Sequence, residues 1–222
     1  MSSLALWLLS AGIATLSATA AGTLAEHVTV RGRARRAAAR APRCLVRQAH
    51  PGDLVRIVGR VEHAEEPLVA PFSGRICTHY EAAVEYPMRS GTYRRTLVES
   101  CSRPFYVVDE SGRALVDMAR AVVDVVIDHY WKARDLDAET RFELERFLFR
   151  TGDRGLSHLR ESASLRYAEG AIEEGETVSV VGIASSERAS ETGTGYRDAA
   201  RHLLLEPPPR GSIFVSDGLH WI

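Results

Sequence analysis

The chain consists largely of short runs in which apolar and polar residues alternate between glycine turns, a pattern that is typical of β-strands. The stretch Leu68–Tyr86 shows it most clearly, because a Pro-Phe-Ser-Gly turn divides two apolar runs and alternation continues beyond it. Pro71 fixes its own φ and Gly74 can adopt a positive φ, so this turn is specified locally. The sequence therefore predicts a strand directly after the turn, with further strands closing onto it.

A second alternating run, Leu54–Val61, places Val55, Ile57, Gly59 and Val61 on one face and Arg56 and Arg60 on the other. A glycine inside a strand indicates a bulge or a close backbone approach. The run Thr177–Ala184 echoes this strand, since both segments follow the pattern Gly-x-x-Val-x-(Ile/Val)-Val-Gly. This pseudo-repeat predicts two equivalent strands of one small closed sheet. Further predicted strands are Ile76–Tyr86, Tyr93–Cys101, Phe105–Asp109, Ala114–Asp117, Ala121–Asp128, His202–Glu206 and Ile213–Ser216.

Residues 129–165 interrupt the strand pattern, and Leu136–Arg150 within them reads as a helix that Gly152 ends. One apolar stripe of this helix holds Leu136, Leu144, Phe147 and Leu148, whereas Phe142 and Phe149 lie on the opposite side. The helix is then either sandwiched between the sheet and its own loop or a ridge that faces a partner or a membrane. The fold class we predict is mainly β with a helical insertion, a small antiparallel β-barrel or sandwich over residues 51–217.

The amino-terminal residues 4–24 carry no charge and are just long enough to cross a hydrocarbon core of ~30 Å as a helix. A cleaved signal peptide ending near Ala18-Thr19-Ala20 is the alternative, but no basic residue precedes Leu4 to form its n-region. A basic linker, residues 25–50, follows. The positive-inside rule therefore favours a single-pass membrane anchor with the β domain on the cytoplasmic side.

The segment Arg31–Arg43 is the most basic part of the chain, and from Arg31 to Arg47 there are seven arginines and no acidic residue. Each arginine near anionic lipid contributes ~1 kcal/mol to the free energy of membrane binding, so the lipid bilayer is the partner that we expect for this cluster. No aromatic residues interleave with these arginines, and the net charge of the chain is −1. Both features argue against nucleic acid as a partner.

No motif for known catalytic chemistry is present: the chain lacks G-x-S-x-G, a phosphate-binding glycine loop, H-E-x-x-H and paired C-x-x-C. Its three cysteines, Cys44, Cys77 and Cys101, are too few and too widely spaced for a zinc site or a disulfide framework. We therefore expect no cofactor, no metal and no catalytic residue. A Cys77–Cys101 bridge stays open for the case in which the domain is exported.

The strongest local cluster of reactive side chains begins at the Pro-Phe-Ser-Gly turn and gives a candidate surface or pocket formed by Ser73, Arg75, Cys77, His79 and Tyr80. On a regular strand Cys77 and His79 share one face, and Thr78 and Tyr80 share the other. A cysteine nucleophile needs its histidine base beside a pocket, and a metal needs at least one more ligand, with His63 opposite as one candidate. Residues two apart on a strand are more often only neighbours, so we favour a structural role.

Two further sets of charged residues invite a functional interpretation. Four arginines, Arg75, Arg94, Arg95 and Arg103, could line an anion-binding or partner surface, although a solvated face is the simpler interpretation. Asp124 and Asp128 could be read as an acid–base pair, but strand alternation explains their spacing without any function.

Several of these positions together resemble the GIDE domain, also called the beside-a-membrane (BAM) domain. The resemblance covers about residues 51–217 and is carried by spaced glycines and strand residues: Ser73, Gly74, Cys77, Tyr80, Val84, Pro104, Phe105, Asp109, Gly112, Glu169, Ile172, Gly175, Val178, Val180 and Gly182. It implies a membrane-adjacent β domain. In mitochondrial RING-type E3 ubiquitin ligases the domain lies between two membrane helices, and a carboxyl-terminal RING carries out ubiquitin transfer.

This chain departs from the ligase pattern. No second membrane-length apolar run follows the domain, and three unpaired cysteines cannot supply the paired zinc ligands of a RING. We therefore expect a non-catalytic binding or docking module for a protein partner beside the membrane. The alternative is a ligase-like protein that relies on a separate catalytic partner.

Overall fold

The structure, a computed structural model, describes residues 30–136, 138–150, 165–187 and 202–222. The described residues divide into two compact units, with the boundary after Arg40. Residues 30–40 form a helix, α1, as expected from a composition of alanine and arginine, which are both good helix formers. Within the described ranges we find no helix long and apolar enough to cross a membrane. The predicted anchor, residues 4–24, lies outside those ranges.

The second unit is built mainly from strands, which confirms the predicted mainly β class. Short 3₁₀ turns lie at Val46–Gln48 and Ala133–Asp135. In chain order the elements are β1 (Leu54–His63), β2 (Leu68–Val69), β3 (Ile76–Pro87), β4 (Tyr93–Ser102), β5 (Phe105–Asp109), β6 (Gly112–Val116), β7 (Ala121–Asp124), β8 (His129–Lys132), α2 (Ala138–Arg150), β9 (Arg166–Glu173), β10 (Thr177–Glu187), β11 (His202–Glu206) and β12 (Ile213–Ser216).

Five strands close into a barrel in the order β1-β5-β6-β11-β10, and pairing of β10 with β1 completes the ring. Most of these pairs are antiparallel, but β6 and β11 are parallel, which the prediction of an antiparallel barrel did not include. Strand β12 pairs with β10 at residues 179–181, whereas β11 pairs with β10 at residues 183–187. On its other edge β12 pairs parallel with β7. Closure leaves no free edge in the ring of five strands.

The two pseudo-repeat strands are direct neighbours, because β1 and β10 pair antiparallel from Leu54 to Arg60. Their register places Val55 opposite Gly182 and Gly59 opposite Val178, so that the glycine that ends each repeat faces a valine of the other repeat. Val55, Ile57 and Val61 on β1 and Val178, Val180 and Ala184 on β10 point into the barrel core. The predicted equivalence of these strands is confirmed.

Gly59 is required by a close approach between strands. A Cβ at this position would overlap the carbonyl oxygen of Val108 on β5 and touch the side chain of Val107. The absence of a side chain lets β1 pair with β10 and then bend across to β5 within ten residues. Of the two predicted explanations for this glycine, a close backbone approach is therefore the correct one.

The remaining strands form an open half-barrel around β3. Strand β3 pairs with β2 and β4 along one edge and with β9 along the other, and β8 pairs with β9. Helix α2 covers one face of this sheet and buries Leu144, Phe147 and Leu148 against it. Phe72 from the Pro71–Gly74 turn packs edge-on against Phe147, with ring centroids 4.9 Å apart. This buried face shows that the helix packs on the sheet.

The other predicted apolar stripe of the helix, Phe142 and Phe149, is described by the structure only at Phe142. Phe142 is 60% exposed, and the side chain of Phe149 lies outside what the structure describes. The segment 129–165 also differs from the prediction, because His129–Lys132 continues the strand pattern and extends the half-barrel as β8. Its polar and aromatic residues occupy a sheet edge, where exposure is tolerated and alternation is weak.

Strand β7 is shorter than the predicted strand Ala121–Asp128, because it ends at Asp124. The following residues leave the sheet and cross over β9 at Gly170, where a Cβ would overlap the carbonyl oxygen of Val126. Alternation alone cannot show where a strand stops pairing, and the glycine that receives the crossing segment lies 44 residues further on. The crossing brings Asp128 to the half-barrel.

Replacing Gly59 with alanine should destabilise the domain by roughly 1–3 kcal/mol, because the new methyl group must displace the backbone of β5. Urea unfolding of the Gly59→Ala variant and of wild type gives the difference in the free energy of unfolding. Arg60→Ala is the matched control, since Arg60 is exposed on the same strand. Equal loss in both variants would contradict the close approach.

Candidate functional site

A bulge at the start of β3 decides which candidate residues share a face. The register of β3 with β9 shifts between Cys77 and His79, so the simple alternation predicted for this strand is wrong there. Cys77 consequently lies on the same face as Tyr80, Ala82 and Val84, beneath helix α2. The sequence prediction paired Tyr80 with Thr78 instead. A bulge moves every residue on one side of it to the other face.

His79 lies on the opposite face of the sheet from Cys77. It sits directly across from Ser102 on β4, and its Nδ1 is 2.8 Å from the Ser102 hydroxyl. His63 belongs to β1 in the barrel sheet, where its backbone N–H donates to Glu174 at 3.5 Å. The structure therefore does not bring these two histidines and Cys77 together into a nucleophile–base pair or a ligand set.

The Cys77 thiol is fully buried and contacts the carbonyl oxygen of Leu68 at 3.8 Å. Burial, and next the nearby Glu169 carboxylate, raise the pKa of Cys77 to about 12. A thiol with this pKa is almost entirely protonated at neutral pH and is a poor nucleophile. All three cysteines are free in the structure, so a Cys77–Cys101 bridge is not formed.

Ser73 and Glu169 fix the Pro71–Gly74 turn onto β9. The Glu169 carboxylate is completely buried and accepts hydrogen bonds from the backbone N–H of Phe72 at 2.8 Å and of Ser73 at 3.2 Å. The Ser73 hydroxyl donates to the same carboxylate. A buried carboxylate is tolerated only when such donors replace its lost water. Ser73 is thereby held as a structural donor rather than exposed as a nucleophile.

Arg75 extends this network to the surface. Its guanidinium forms a two-point contact with Asp128, at 2.8 and 3.0 Å, and reaches Glu173 at 3.1 Å. Its second terminal nitrogen lies 3.7 Å from Glu169, which partly balances that buried charge. Burial opposes the charged form of Asp128, but the bonds from Arg75 and His129 outweigh it and hold the Asp128 pKa below its ordinary value. This ion-pair network accounts for the Asp128 carboxylate.

A cleft of about 580 Å³ lies between the Pro71–Gly74 turn and helix α2. Among the five candidate residues Ser73 and Tyr80 line it, whereas Arg75, Cys77 and His79 do not. The Tyr80 hydroxyl donates to Glu99 on β4 at 2.7 Å. The cleft walls comprise Val69, Ala70, Pro71, Phe72, Ser73, Gly74, Tyr80, Thr140, Glu143 and Arg146. Its size suits a short peptide segment or a small ligand.

The face of the half-barrel away from α2 carries a second charged cluster. Glu81 and Glu85 are buried on β3, and Arg95 on β4 pairs with both of them. Arg166 on β9 donates to Glu85 at 2.8 Å and lies 4.0 Å from the centre of the Tyr93 ring. Arg95 is therefore an ion-pair partner, although the residue is also exposed to solvent.

The four arginines of the candidate anion surface do not converge. Arg75 and Arg95 belong to separate ion-pair networks, Arg94 lies over the Tyr86 ring at 4.8 Å, and Arg103 is 3.8 Å from Glu65. No group of three or more His, Cys, Asp or Glu side chains in the described part of the chain is placed to hold a metal ion. The described geometry thus offers a cleft and a set of structural ion pairs.

Sequence reasoning missed the central role of Glu169, although a signal was present. Glu169, Glu81 and Glu85 occupy strand positions among apolar residues, where a carboxylate needs partners. Such a pattern shows that a partner exists but not which one, because Arg75, Arg95 and Arg166 come from other parts of the chain.

Comparisons of the chain with known proteins add no identity to this geometry. No family model, no curated protein and no solved structure gives a significant match. The resemblance to the GIDE domain therefore rests on the sequence motifs.

Removing the Glu169 carboxylate should loosen the Pro71–Gly74 turn, because two backbone N–H groups, one of them buried, lose their acceptor. We expect Glu169→Ala to lower the free energy of unfolding by about 3 kcal/mol and Ser73→Ala by about 1 kcal/mol. Urea unfolding measures both. Glu110→Ala, in an exposed hairpin turn, serves as the control. A Glu169→Ala loss no larger than that of the control would contradict the assigned role.

Proposed function

We propose that this chain is a membrane-anchored, non-catalytic docking module that resembles the GIDE/BAM domain. The observation that carries the proposal is the division of the candidate residues by β3. Cys77 and His79 lie on opposite faces, and the Ser73 hydroxyl is tied to the buried Glu169 carboxylate. The reactive side chains thus serve the fold, while a cleft of about 580 Å³ and the outer strand of the half-barrel stay accessible.

The membrane part of the proposal is supported by the sequence. The uncharged residues 4–24 are long enough for one membrane crossing, and Arg31–Arg43 follows as a basic flank. Part of that flank, residues 30–40, is helical, which lets its arginines lie along an anionic lipid surface. The β domain would then stand next to the bilayer on the cytoplasmic side.

The partner we propose is a protein, held at the cleft beside helix α2. The cleft presents both apolar walls, such as Val69 and Phe72, and charged groups, Glu143 and Arg146. Mixed walls of this kind bind an extended segment by combining apolar contact with a few polar bonds. Ser73 and Tyr80 are the candidate surface residues that such a segment would touch.

The full-length chain should fractionate with membranes and stay there through alkaline carbonate extraction, and deletion of residues 1–30 should release it. The physical reason is the loss of the apolar span, since the remaining arginines of Arg31–Arg43 supply only electrostatic attraction to the lipid surface. As a control, an unrelated leucine-rich helix fused in place of residues 4–24 should restore membrane recovery. Finding the intact full-length chain in the soluble fraction would reject the anchor.

A ligase-like role with a separate catalytic partner is the alternative that the resemblance implies. Purified full-length protein, incubated with ubiquitin, activating enzyme and conjugating enzymes, should show no ubiquitin transfer above background. The reason is that its cysteines provide neither a RING zinc site nor, at Cys77, an ionised thiol. Adding a RING ligase to the same mixture is the positive control. Robust transfer by the chain alone would overturn the docking proposal.

A further inference from the structure

Strand β4 is the outer strand of the half-barrel along most of β3. It runs from Tyr93 to Ser102 and pairs with β3, while no strand among the described residues lies on its other edge. Residues 93–96 are exposed, and Val98 is 50% exposed although it lies within the strand. A strand of this length with an open edge offers a row of backbone donors and acceptors for another strand.

A bulge divides β4 into two halves. On β3 the consecutive residues Val84 and Glu85 pair with Leu97 and Arg95, so Thr96 is the extra residue. Beyond the bulge, the side chains of β4 alternate between the two faces of the sheet in the opposite order. Arg94 and Glu99, which are five positions apart, therefore point to the same face of the sheet, the face that α2 covers.

The contacts of these two side chains confirm their orientation. Arg94 lies over the ring of Tyr86, and Glu99 accepts a hydrogen bond from Tyr80; both tyrosines belong to that face of β3. Arg95 lies on the other face, where it pairs with Glu81 and Glu85. Each half of β4 thus presents one charge on the helix-covered face, positive before the bulge and negative after it.

We propose that a second copy of this chain pairs with β4 in antiparallel orientation, about a two-fold axis that passes between Thr96 and Leu97. In this register Arg94 lies opposite the partner's Glu99, and symmetry repeats this ion pair on the other side of the axis. Arg95 lies opposite the partner's Val98 on the other face. The two bulges face each other, so the inversion in one strand matches the inversion in its partner.

The register is specific because two side chains can pair across the strands only when they lie on the same face of the sheet. A shift of one residue brings Arg95 opposite the partner's Glu99, but these side chains point to opposite faces of the sheet and cannot pair. The proposed register joins opposite charges directly across the strands, which favours pairing, whereas like charges in that position oppose it. The self-complementary strand is the reason to name a second copy as the occupant.

The dimer should be weak in solution, with a dissociation constant on the order of 100 µM, because one pair of strands buries less than a standard interface. If the chain is anchored as proposed above, confinement to one membrane raises the effective concentration of the second copy and favours the pair. The pairing itself is argued from β4 alone and is tested without a membrane.

Charge reversal tests the register. Sedimentation equilibrium of the full-length chain in density-matched detergent should show a monomer–dimer equilibrium for wild type. Arg94→Glu alone and Glu99→Arg alone each place like charges across the axis, so each should dimerise at least about tenfold more weakly. An equal mixture of the two variants pairs opposite charges at both sites and should restore dimers, as should the double variant, in which both substitutions are in one chain.

Two reversals outside β4 serve as matched controls: Arg60→Glu on β1 and Glu66→Arg after it, both at exposed positions. Both should dimerise like wild type, and circular dichroism should show that every variant is folded. A wild-type chain that stays monomeric up to about 1 mM overturns the proposal. Dimers that persist in both single variants, or that fail to return in the mixture, overturn it as well. Absence of the chain from the membrane fraction would contradict the proposed anchor but would leave the dimerisation result unchanged.

Discussion

The fold depends on the close contact of two glycine-containing strands with their neighbours. Strands β1 and β10 close the barrel, and β1 can also reach β5 only because Gly59 has no side chain facing the carbonyl of Val108. The glycine that ends each repeat lies opposite a valine of the other strand, so each of these two cross-strand pairs joins a residue without a side chain to a branched one. Closure removes the free edges of these strands and surrounds a core in which valine and isoleucine predominate.

A second constraint joins the half-barrel to the rest of the chain. Glu169 is completely buried, and its hydrogen-bond donors, Phe72 and Ser73, come from the turn that precedes β3. Arg75 then links the same turn to Asp128, in the segment that has crossed over Gly170 from β7. The turn, β9 and the crossing segment therefore hold one another in place. This explains why polar residues that look reactive in the sequence are arranged as a structural network.

The sequence predicted the parts of this fold that follow from local rules. Alternation located β5, β11 and β12 to the residue, and the glycine pseudo-repeat identified β1 and β10 as equivalent strands of one closed sheet. Non-local features were not predictable. The bulge near Cys77 depends on the register with β9, and the end of β7 depends on the crossing at Gly170. The candidate site shared this limit, since the partners of Ser73 and Arg75 lie some 50 to 100 residues further along the chain.

Bulges matter for function in this fold because they decide what an exposed edge presents. The bulge in β3 separates Cys77 from His79 and so removes a reactive pair, while the bulge in β4 brings Arg94 and Glu99 onto one face. Both follow from a single extra residue that inverts the alternation beyond it. A strand with one charge on each side of such an inversion is complementary to itself only when antiparallel. In the part of the chain that the structure describes, the half-barrel thus keeps Cys77 and His79 on opposite faces of β3 and leaves the charged side chains of its outer strand, β4, at an exposed edge.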